Sequence, residues 1–325
     1  MRNLLLSAVA ALALATGANA QASGNLVLYT SQPNEDAQRT VDAFMAANPG
    51  VTVEWVRDGT PKIMAKFRAE LEAGAPQADV LLIADSVTME GLKAEGLLMA
   101  HPDADTSAYA PGIMDADKTW FATKLITTGI VYNTAAPVKP ASYKDLLAPD
   151  VTAAFKMPSP LASGAATIHM VSLTGVSDLG WGFYETLAKQ GALADGGNGG
   201  VFTSVAGGEK LYGFLVDFLA IREKAKGAPI EFVFPTEGVS AVSEPVAILS
   251  SAKNPDAAKA FVDFLISEAG QQVAADMGYL PAHPAVAAPE GFPDRATIKV
   301  LAFDPAQALA DEAANKERFT AMFGG

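Results

Sequence analysis

Short apolar segments of strand length alternate with longer segments of helical periodicity, and this alternation limits the possible folds more than any other feature. Residues 26–30, 51–56 and 79–83 predict strands. Residues 60–74 and 86–95 carry apolar side chains at helical spacing. Repeated strand–helix–strand units predict a parallel sheet covered by helices. The sequence therefore predicts an α/β fold, with ligand-binding groups at the carboxyl ends of the strands.

The second half of the chain continues this alternation. Residues 129–132 and 230–234 predict strands, and residues 210–218 fit either a strand or a short helix. Helices are predicted from Ser163 to about Leu173, from the glycine-rich residues 196–200 to Val205, and over residues 256–274 as a single helix. The sequence contains no repeat of fixed period and no low-complexity linker, which favours two lobes joined by sheet strands over two tethered domains.

Residues 1–20 have the features of a secretory signal peptide. Arg2 precedes an apolar run over residues 4–15, and the small-x-small sequence of residues 18–20 is typical of a cleavage site. The alternative is a membrane anchor, which the short apolar run disfavours. We therefore expect an exported protein of a Gram-negative periplasm, which without any cysteine has no site for lipid attachment.

Composition excludes several classes of function. Hydrophobic residues make up 50% of the chain and charged residues 18%, which suits a globular protein and excludes a disordered one. The net charge of −13 repels nucleic acid and anionic membrane surfaces. The absence of cysteine excludes thiolate metal sites and a cysteine nucleophile, and three widely separated histidines argue against a histidine-rich metal site.

The strongest local signal for a ligand is a helix start with very small side chains. Ser163 suits a helix N-cap, and Gly164 and Ala165 allow a ligand oxygen to approach their backbone N–H groups. The first N–H groups of a helix have no partner within the helix, and the helix dipole is positive there, so phosphate, phosphonate or carboxylate can bind. Ser163 and Thr167 would add hydroxyl donors. The alternative is an ordinary N-cap whose small residues serve packing.

Further polar candidates are weaker, and each has a structural alternative. Asn198, in the glycine-rich helix start, would donate an amide N–H to a ligand, or the segment is only a flexible loop. Ser31 follows the first predicted strand and Ser86 follows the third. Asp217 lies in an apolar run, where it either holds a cationic ligand group or pairs with Arg222. Tyr212 is either a ligand contact or a core residue.

Six motifs in this order resemble those of periplasmic solute-binding proteins of ABC importers. The resemblance covers most of the chain and fits the branch that binds ferric ion, hexose phosphate or 2-aminoethylphosphonate. No G-x-S-x-G, H-E-x-x-H or similar catalytic motif is present, so we expect no enzyme. The motifs are LYTSQ at 28–32, DVLLIADS at 79–86, GIVYNT at 129–134, SGA at 163–165, FVFPTEG at 232–238 and NPDAAKAFVDFL at 254–265.

The resemblance implies a two-lobed, type II-like α/β fold that clamps its ligand in the cleft between the lobes. The corresponding limits are residues 1–20 for the signal peptide, 21–125 for the first part of lobe I, 126–245 for lobe II, and 246–325 for the completion of lobe I and the C-terminal helices. The family also implies a monomer in the periplasm that delivers a small anionic or zwitterionic ligand to an inner-membrane permease, without nucleic acid, cofactor or metal.

Departures from the ferric branch indicate the ligand. Ferric members have a helix start like Ser163–Gly164–Ala165 that binds an anion, which this sequence retains. Where those proteins have a histidine, Pro33 stands here, and residues 216–219 lack their pair of tyrosines. The resemblance therefore points to 2-aminoethylphosphonate first, hexose phosphate second and ferric ion third.

In this interpretation the acid group docks on Ser163, Gly164 and Ala165, assisted by Thr167 and Thr127, while Asp217 with Tyr212 holds the amine. An exported phosphoesterase on the same scaffold is the alternative class of function. A binding protein that serves a chemoreceptor or sensor kinase is a third class.

Overall fold

The structure, a computed structural model, describes residues 22–84, 86–109 and 113–324. The predicted signal peptide, residues 1–20, lies outside the described residues. No helix in the described ranges combines the length and apolar character needed to cross a membrane.

Strands and helices alternate along the chain much as the sequence predicts. The strands are β1 (Gly24–Thr30), β2 (Val51–Arg57), β3 (Val80–Leu82), β4 (Leu98–Met99), β5 (Trp120–Ala122), β6 (Lys124–Asn133), β7 (Phe155–Met157), β8 (Leu193–Ala194), β9 (Tyr212–Val216), β10 (Ile230–Val233), β11 (Ser240–Val242), β12 (Pro245–Leu249) and β13 (Leu280–Pro281). The helices are α1 (Asn34–Ala47), α2 (Thr60–Glu72), α3 (Ser86–Ala94), α4 (Pro149–Ala153), α5 (Gly164–Thr174), α6 (Gly180–Lys189), α7 (Asn198–Ala206), α8 (Asp217–Ala225), α9 (Pro255–Ile266), α10 (Glu268–Asp276), α11 (Pro305–Ala310) and α12 (Glu312–Phe323).

The first sheet has the strand order β2-β1-β3-β12-β4, with β5 paired to β12. Strand β1 runs parallel to both β2 and β3, so Leu28 pairs with Trp55 on one side and Val80 on the other. Leu28, Phe44 of α1 and Phe261 of α9 are buried in one hydrophobic core, which holds these helices on the sheet. We call this sheet and its helices lobe I.

The second sheet has the strand order β10-β6-β9-β7-β8, and β11 and β13 pair with β6. Its core contains Phe155, Ile168 of α5 and Phe214, all buried. We call this sheet and its helices lobe II. Both sheets are mixed rather than purely parallel, which differs from the prediction. Strand β12 follows β11 of lobe II directly along the chain, with no helix between them. In lobe I it pairs antiparallel with β3.

Two of the connections between the lobes lie side by side, and a third runs from α10 to β13. Thr123, between β5 and β6, donates its backbone N–H to the carbonyl oxygen of Ser243 at 3.2 Å. Its hydroxyl donates to the carbonyl oxygen of Glu244, between β11 and β12, at 2.7 Å. Two adjacent chain segments and the passage from α10 to β13 thus connect the lobes, while the residue limits assigned to each lobe stay a prediction.

The predicted helix over residues 256–274 is in fact two helices, α9 and α10. Ser267 interrupts it with an extended ψ of 159°, and its hydroxyl accepts a hydrogen bond from the backbone N–H of Gly270 at 3.2 Å. Because this serine satisfies a free N–H group at the start of α10, interrupting the helix here costs little free energy. The ambiguous segment over 210–218 is strand β9, after which α8 begins at Asp217.

The C-terminal helices contact both lobes. The rings of Phe319 in α12 and Tyr184 in α6 lie 6.0 Å apart, which places α12 on lobe II. Leu309 of α11 lies close to Gly91 of α3 in lobe I.

Candidate ligand-binding cavity

A cavity of about 410 Å³ lies between the lobes. Lobe I contributes residues that follow β1, β2 and β3, because the carboxyl ends of parallel strands meet at one edge of the sheet. Lobe II contributes the starts of α5 and α7 and residues around the start of α8. The residues from lobe I are Ser31, Pro33, Arg57, Gly59, Thr60 and Ala84.

The lobe II wall consists mainly of backbone at two helix starts. Ser163 is the N-cap of α5, and its hydroxyl accepts hydrogen bonds from the N–H of Ala166 at 3.4 Å and from Nδ2 of Asn198 at 3.3 Å. Gly164 and Ala165 are the first two residues of α5, so their N–H groups have no acceptor within the helix. Helix α7 starts after Gly197 without a side-chain cap, and Oδ1 of Asn198 is buried without a hydrogen-bond partner.

The lobe I wall presents side chains instead. Ser31 accepts a hydrogen bond from the N–H of Ala84 at 2.9 Å, which ties the ends of β1 and β3 together. Arg57 ends β2, and its Nε donates to the carbonyl oxygen of Gln32 at 2.7 Å. Thr60 begins α2 and is only 2% exposed, yet its buried hydroxyl has no hydrogen-bond partner. Buried polar groups rarely stay unpaired, but this oxygen is itself closed off from the cavity, so it reaches a ligand only after a local rearrangement of the wall.

Buried ion pairs lie where the two lobes meet below the cavity. Asp36 of α1 accepts two hydrogen bonds from Arg222 of α8, at 2.9 and 3.1 Å, and one from the hydroxyl of Tyr279 at 2.6 Å. Lys124 pairs with Glu244, and its Nζ lies 4.4 Å from the centre of the Tyr279 ring. Burial raises the pKa of Glu244, while Lys124 lowers it. Arg222 and Glu244 both line the cavity.

The cavity therefore favours an anion. Arg57 and the starts of α5 and α7 direct positive charge into it. The other two lining ions are compensated, because Arg222 pairs with Asp36, and Glu244, the one acidic residue among the described lining residues, pairs with Lys124. Local donors thus outweigh the net charge of −13. Within the described residues, no group of three or more His, Asp or Glu side chains is placed to hold a metal ion.

Five of the ten predicted ligand residues line this cavity: Ser31, Ser163, Gly164, Ala165 and Asn198. They come from both lobes and from three separate helix or strand ends. Their role in binding stays a prediction, but the structure brings them together around one volume.

Asp217 and Thr127 do not line the cavity, which contradicts the predicted contact of Asp217 with a ligand amine. The Asp217 side chain is fully buried. Its carboxylate accepts hydrogen bonds from the N–H and hydroxyl of Thr127, at 2.9 and 2.7 Å, and from the N–H of Phe218 at 2.6 Å. Burial raises the pKa of Asp217 to about 7, against the opposite effect of these donors. Asp217 does not pair with Arg222 either, because Arg222 binds Asp36.

Three further predicted residues also lie outside the cavity. The Tyr212 hydroxyl is buried and accepts a hydrogen bond from the N–H of Val138 at 3.1 Å, so Tyr212 is a core residue. The Thr167 hydroxyl donates to the carbonyl oxygen of Pro160 at 3.1 Å and thereby holds the turn before α5. Ser86 lines a different cavity, with Glu90 and Trp120.

Sequence reasoning missed Arg57, Thr60 and Arg222, and it ranked Glu244, like Glu237, only as a weaker carboxylate candidate. A signal existed for the first two, because Arg57 ends a predicted strand beside the Ser31 strand and Thr60-Pro61 is a helix-start sequence. Arg222 reaches the cavity only through long-range packing, which sequence spacing does not reveal.

Comparison with known proteins places the chain in a family. An uncharacterized protein of Haemophilus influenzae is 30% identical over 291 residues, 84% of this chain and 81% of that protein. A probable ABC transporter periplasmic-binding protein of Sinorhizobium fredii is 25% identical over 292 residues, 86% of this chain and 80% of that protein. The periplasmic binding protein AfuA from Actinobacillus pleuropneumoniae, solved with exogenous fructose-6-phosphate, has a similar fold, with a TM-score of 0.84 at 22% identity over 93% of this chain and 99% of that chain. The family model for bacterial extracellular solute-binding proteins matches residues 39–300, most of the sequence, and the chain therefore belongs to that family.

Proposed function

We propose that the protein is the periplasmic substrate-binding component of an ABC importer and that it binds a small organic phosphonate or phosphate between its lobes. Membership of the solute-binding family and the name of the Sinorhizobium relative support the transport role. Proteins of this kind deliver a small ligand to a membrane permease, and we propose the same partner here.

The observation that carries the proposal is the pair of facing donor groups. On lobe II, the N–H groups of Gly164 and Ala165 are free at the start of α5. On lobe I, Arg57 and Thr60 line the same cavity, and the buried Thr60 hydroxyl has no hydrogen-bond partner. A phosphonate or phosphate group has three terminal oxygens and up to two negative charges, so it can accept hydrogen bonds from both lobes at once. Each such bond to a charged group contributes about 1.5–3 kcal/mol.

Within this class we propose 2-aminoethylphosphonate first. Its phosphonate would dock on the helix starts, and its ammonium would turn toward Glu244, which replaces Asp217 in that role. Glu244 is the described acidic residue that lines the cavity. A hexose phosphate is the second candidate, favoured by the fold shared with AfuA, which was solved with fructose-6-phosphate.

The donor set does not suit ferric ion. Hard ferric iron requires several anionic oxygen ligands. The described lining residues offer one carboxylate, that of Glu244. The lining therefore does not support an iron-binding role.

Calorimetry on protein that has been unfolded, stripped of ligand and refolded tests the proposal. We expect 2-aminoethylphosphonate to bind more tightly than ethylphosphonate, which lacks the amine, and ferric citrate to give no specific heat. Tighter binding of fructose-6-phosphate would replace the first candidate by the second. Absence of binding by every phosphonate and phosphate would refute the proposed ligand class. Turnover of a chromogenic phosphate ester, lost in Ser163→Ala, would instead support an enzyme.

A further inference from the structure

Gly59 lies at a close approach of lobe I to lobe II beside the cavity. It is the residue between β2 and α2, and it faces the backbone carbonyl of Ala162, which precedes α5 in lobe II. The next residue on each side, Thr60 and Ser163, also lines the cavity. The contact between Gly59 and Ala162 therefore limits how closely the two donor walls can approach each other at this point.

The backbone of Gly59 does not itself require glycine. Its φ of −60° and ψ of 148° are extended values that any L-residue adopts without strain. A reason for glycine must therefore come from its surroundings rather than from the turn.

The surroundings supply that reason. A Cβ atom on residue 59 would lie closer to the carbonyl oxygen of Ala162 than real carbon–oxygen contacts allow. Because the opposing atom belongs to the backbone, no side-chain rotation can relieve the overlap. The lobes are built on two separate sheets, so a wider separation of the lobes relieves the overlap without breaking the strand pairing within either sheet.

We propose that Gly59 is a positioning residue that permits full closure of the lobes, and that any side chain there holds the donor walls apart. The consequence for binding rests on the proposed function: a phosphonate or phosphate held by Arg57 and Thr60 on one side would lose the N–H groups of Gly164 and Ala165 on the other. A ligand shifts a protein toward the conformation that binds it better. If the closed conformation becomes less populated, the apparent affinity falls in proportion to its population.

Closure can be measured without any ligand. The chain has no cysteine, so Lys62→Cys in α2 and Leu161→Cys beside Ala162 place the only two thiols near the contact. Because consecutive Cα atoms are about 3.8 Å apart, both positions stay within reach of a short bifunctional maleimide when the lobes close. Lys62 is well exposed and Leu161 partly so, and neither lines the cavity. The rate of cross-linking then reports how often the closed state is visited.

The experiment compares Gly59→Ala with Gly182→Ala in this double-cysteine protein. A Cβ on Gly182, in α6, would meet no heavy atom within 4 Å, so it is the matched control. We expect Gly59→Ala to cross-link several-fold more slowly than the parent and Gly182→Ala to match it. In the cysteine-free protein, we expect Gly59→Ala to weaken binding of 2-aminoethylphosphonate or fructose-6-phosphate by roughly tenfold or more, with an unchanged melting temperature of the ligand-free protein.

Cross-linking of Gly59→Ala at the parent rate would overturn the inference, and so would parent-like affinity for a ligand that the parent binds. Slower cross-linking in a protein whose parent binds no phosphonate or phosphate would support the role of Gly59 in closure while refuting the proposed ligand class. The two failures are thus distinguishable.

Discussion

The two walls of the cavity offer donors of different kinds. The lobe II wall uses backbone N–H groups at the starts of α5 and α7, with small side chains that leave them accessible. The lobe I wall uses the side chains of Ser31, Arg57 and Thr60. Backbone donors are fixed by the helix and need no ordering when a ligand binds, whereas a long side chain such as Arg57 loses rotamer freedom.

This difference indicates a division of roles. In the proposed binding mode, the lobe II wall is a preorganised anion site that most side-chain substitutions leave intact. The lobe I wall would add charge and close over the anion, with a contribution that depends on individual side chains. Substitutions on lobe I should therefore change affinity more than most substitutions on lobe II, unless the lobe II substitution removes a backbone N–H.

The largest effect on affinity among these substitutions is expected from Arg57→Gln. This variant removes a positive charge from the lobe I wall, and we expect binding weaker by about 2 kcal/mol, or roughly thirtyfold. Arg68→Gln is the matched control, because Arg68 lies in α2 but pairs with Glu95 away from the cavity. Calorimetry with the tightest-binding phosphonate or phosphate measures both. Equal affinities for the two variants would show that the lobe I wall contributes no charge to binding.

A smaller effect is expected from removing one backbone donor on lobe II. Gly164→Pro deletes the N–H of the first residue of α5, a position where proline is well tolerated. The preceding Ser163 already has the extended conformation that proline requires, with φ −142° and ψ 122°. We expect binding weaker by about 1.5 kcal/mol, or roughly tenfold, than in Gly164→Ala, which adds a Cβ but keeps the N–H. Similar affinities for both variants would contradict a backbone anion site.

The fold was predictable from local patterns to a considerable extent. The strands around Leu28, Trp55 and Val80 and the N-cap of α5 at Ser163 follow from apolar periodicity and helix-start residues, which act over a few residues. The break at Ser267 and the antiparallel entry of β12 were not predicted. The break depends on a single N-cap, Ser267, within a sequence of otherwise strong helical periodicity. The direction of β12 depends on which distant strand it pairs with, and local patterns do not show that.

The candidate site divides in the same way. Gly164 and Ala165 were predictable because a helix start carries its own donors. Asp217 was assigned to the ligand because a carboxylate in an apolar run needs a partner, and that premise was sound. Its partners are the backbone and hydroxyl groups of Thr127 on the neighbouring strand. Sequence spacing cannot distinguish an internal partner from a ligand, because both satisfy the same buried group.

The smallest effect on affinity is expected from Asp217→Asn, which belongs to neither wall. We expect unchanged binding of both 2-aminoethylphosphonate and ethylphosphonate, because the Asp217 carboxylate is buried and bonded within lobe II. A selective loss of the amine-bearing ligand would return Asp217 to the amine role and would break the assignment of the cavity walls.

The same variant should change the pH dependence of stability. The pKa of Asp217 is about 7 in the folded protein and about 3.9 in an unfolded chain. Between these values the folded state binds more protons, so the free energy of unfolding falls as pH rises, by on the order of 3 kcal/mol. Asparagine does not titrate, and buried groups that both proteins share, such as His169 with its pKa lowered to about 3, cancel in the comparison. Urea unfolding from pH 4 to pH 7.5 should therefore show the wild-type protein losing stability relative to Asp217→Asn. A difference in stability between the two proteins that stays constant across this range would mean that Asp217 is ionised in the folded protein. The hydrogen bonds from Thr127 and Phe218 would then offset the whole effect of burial on its pKa.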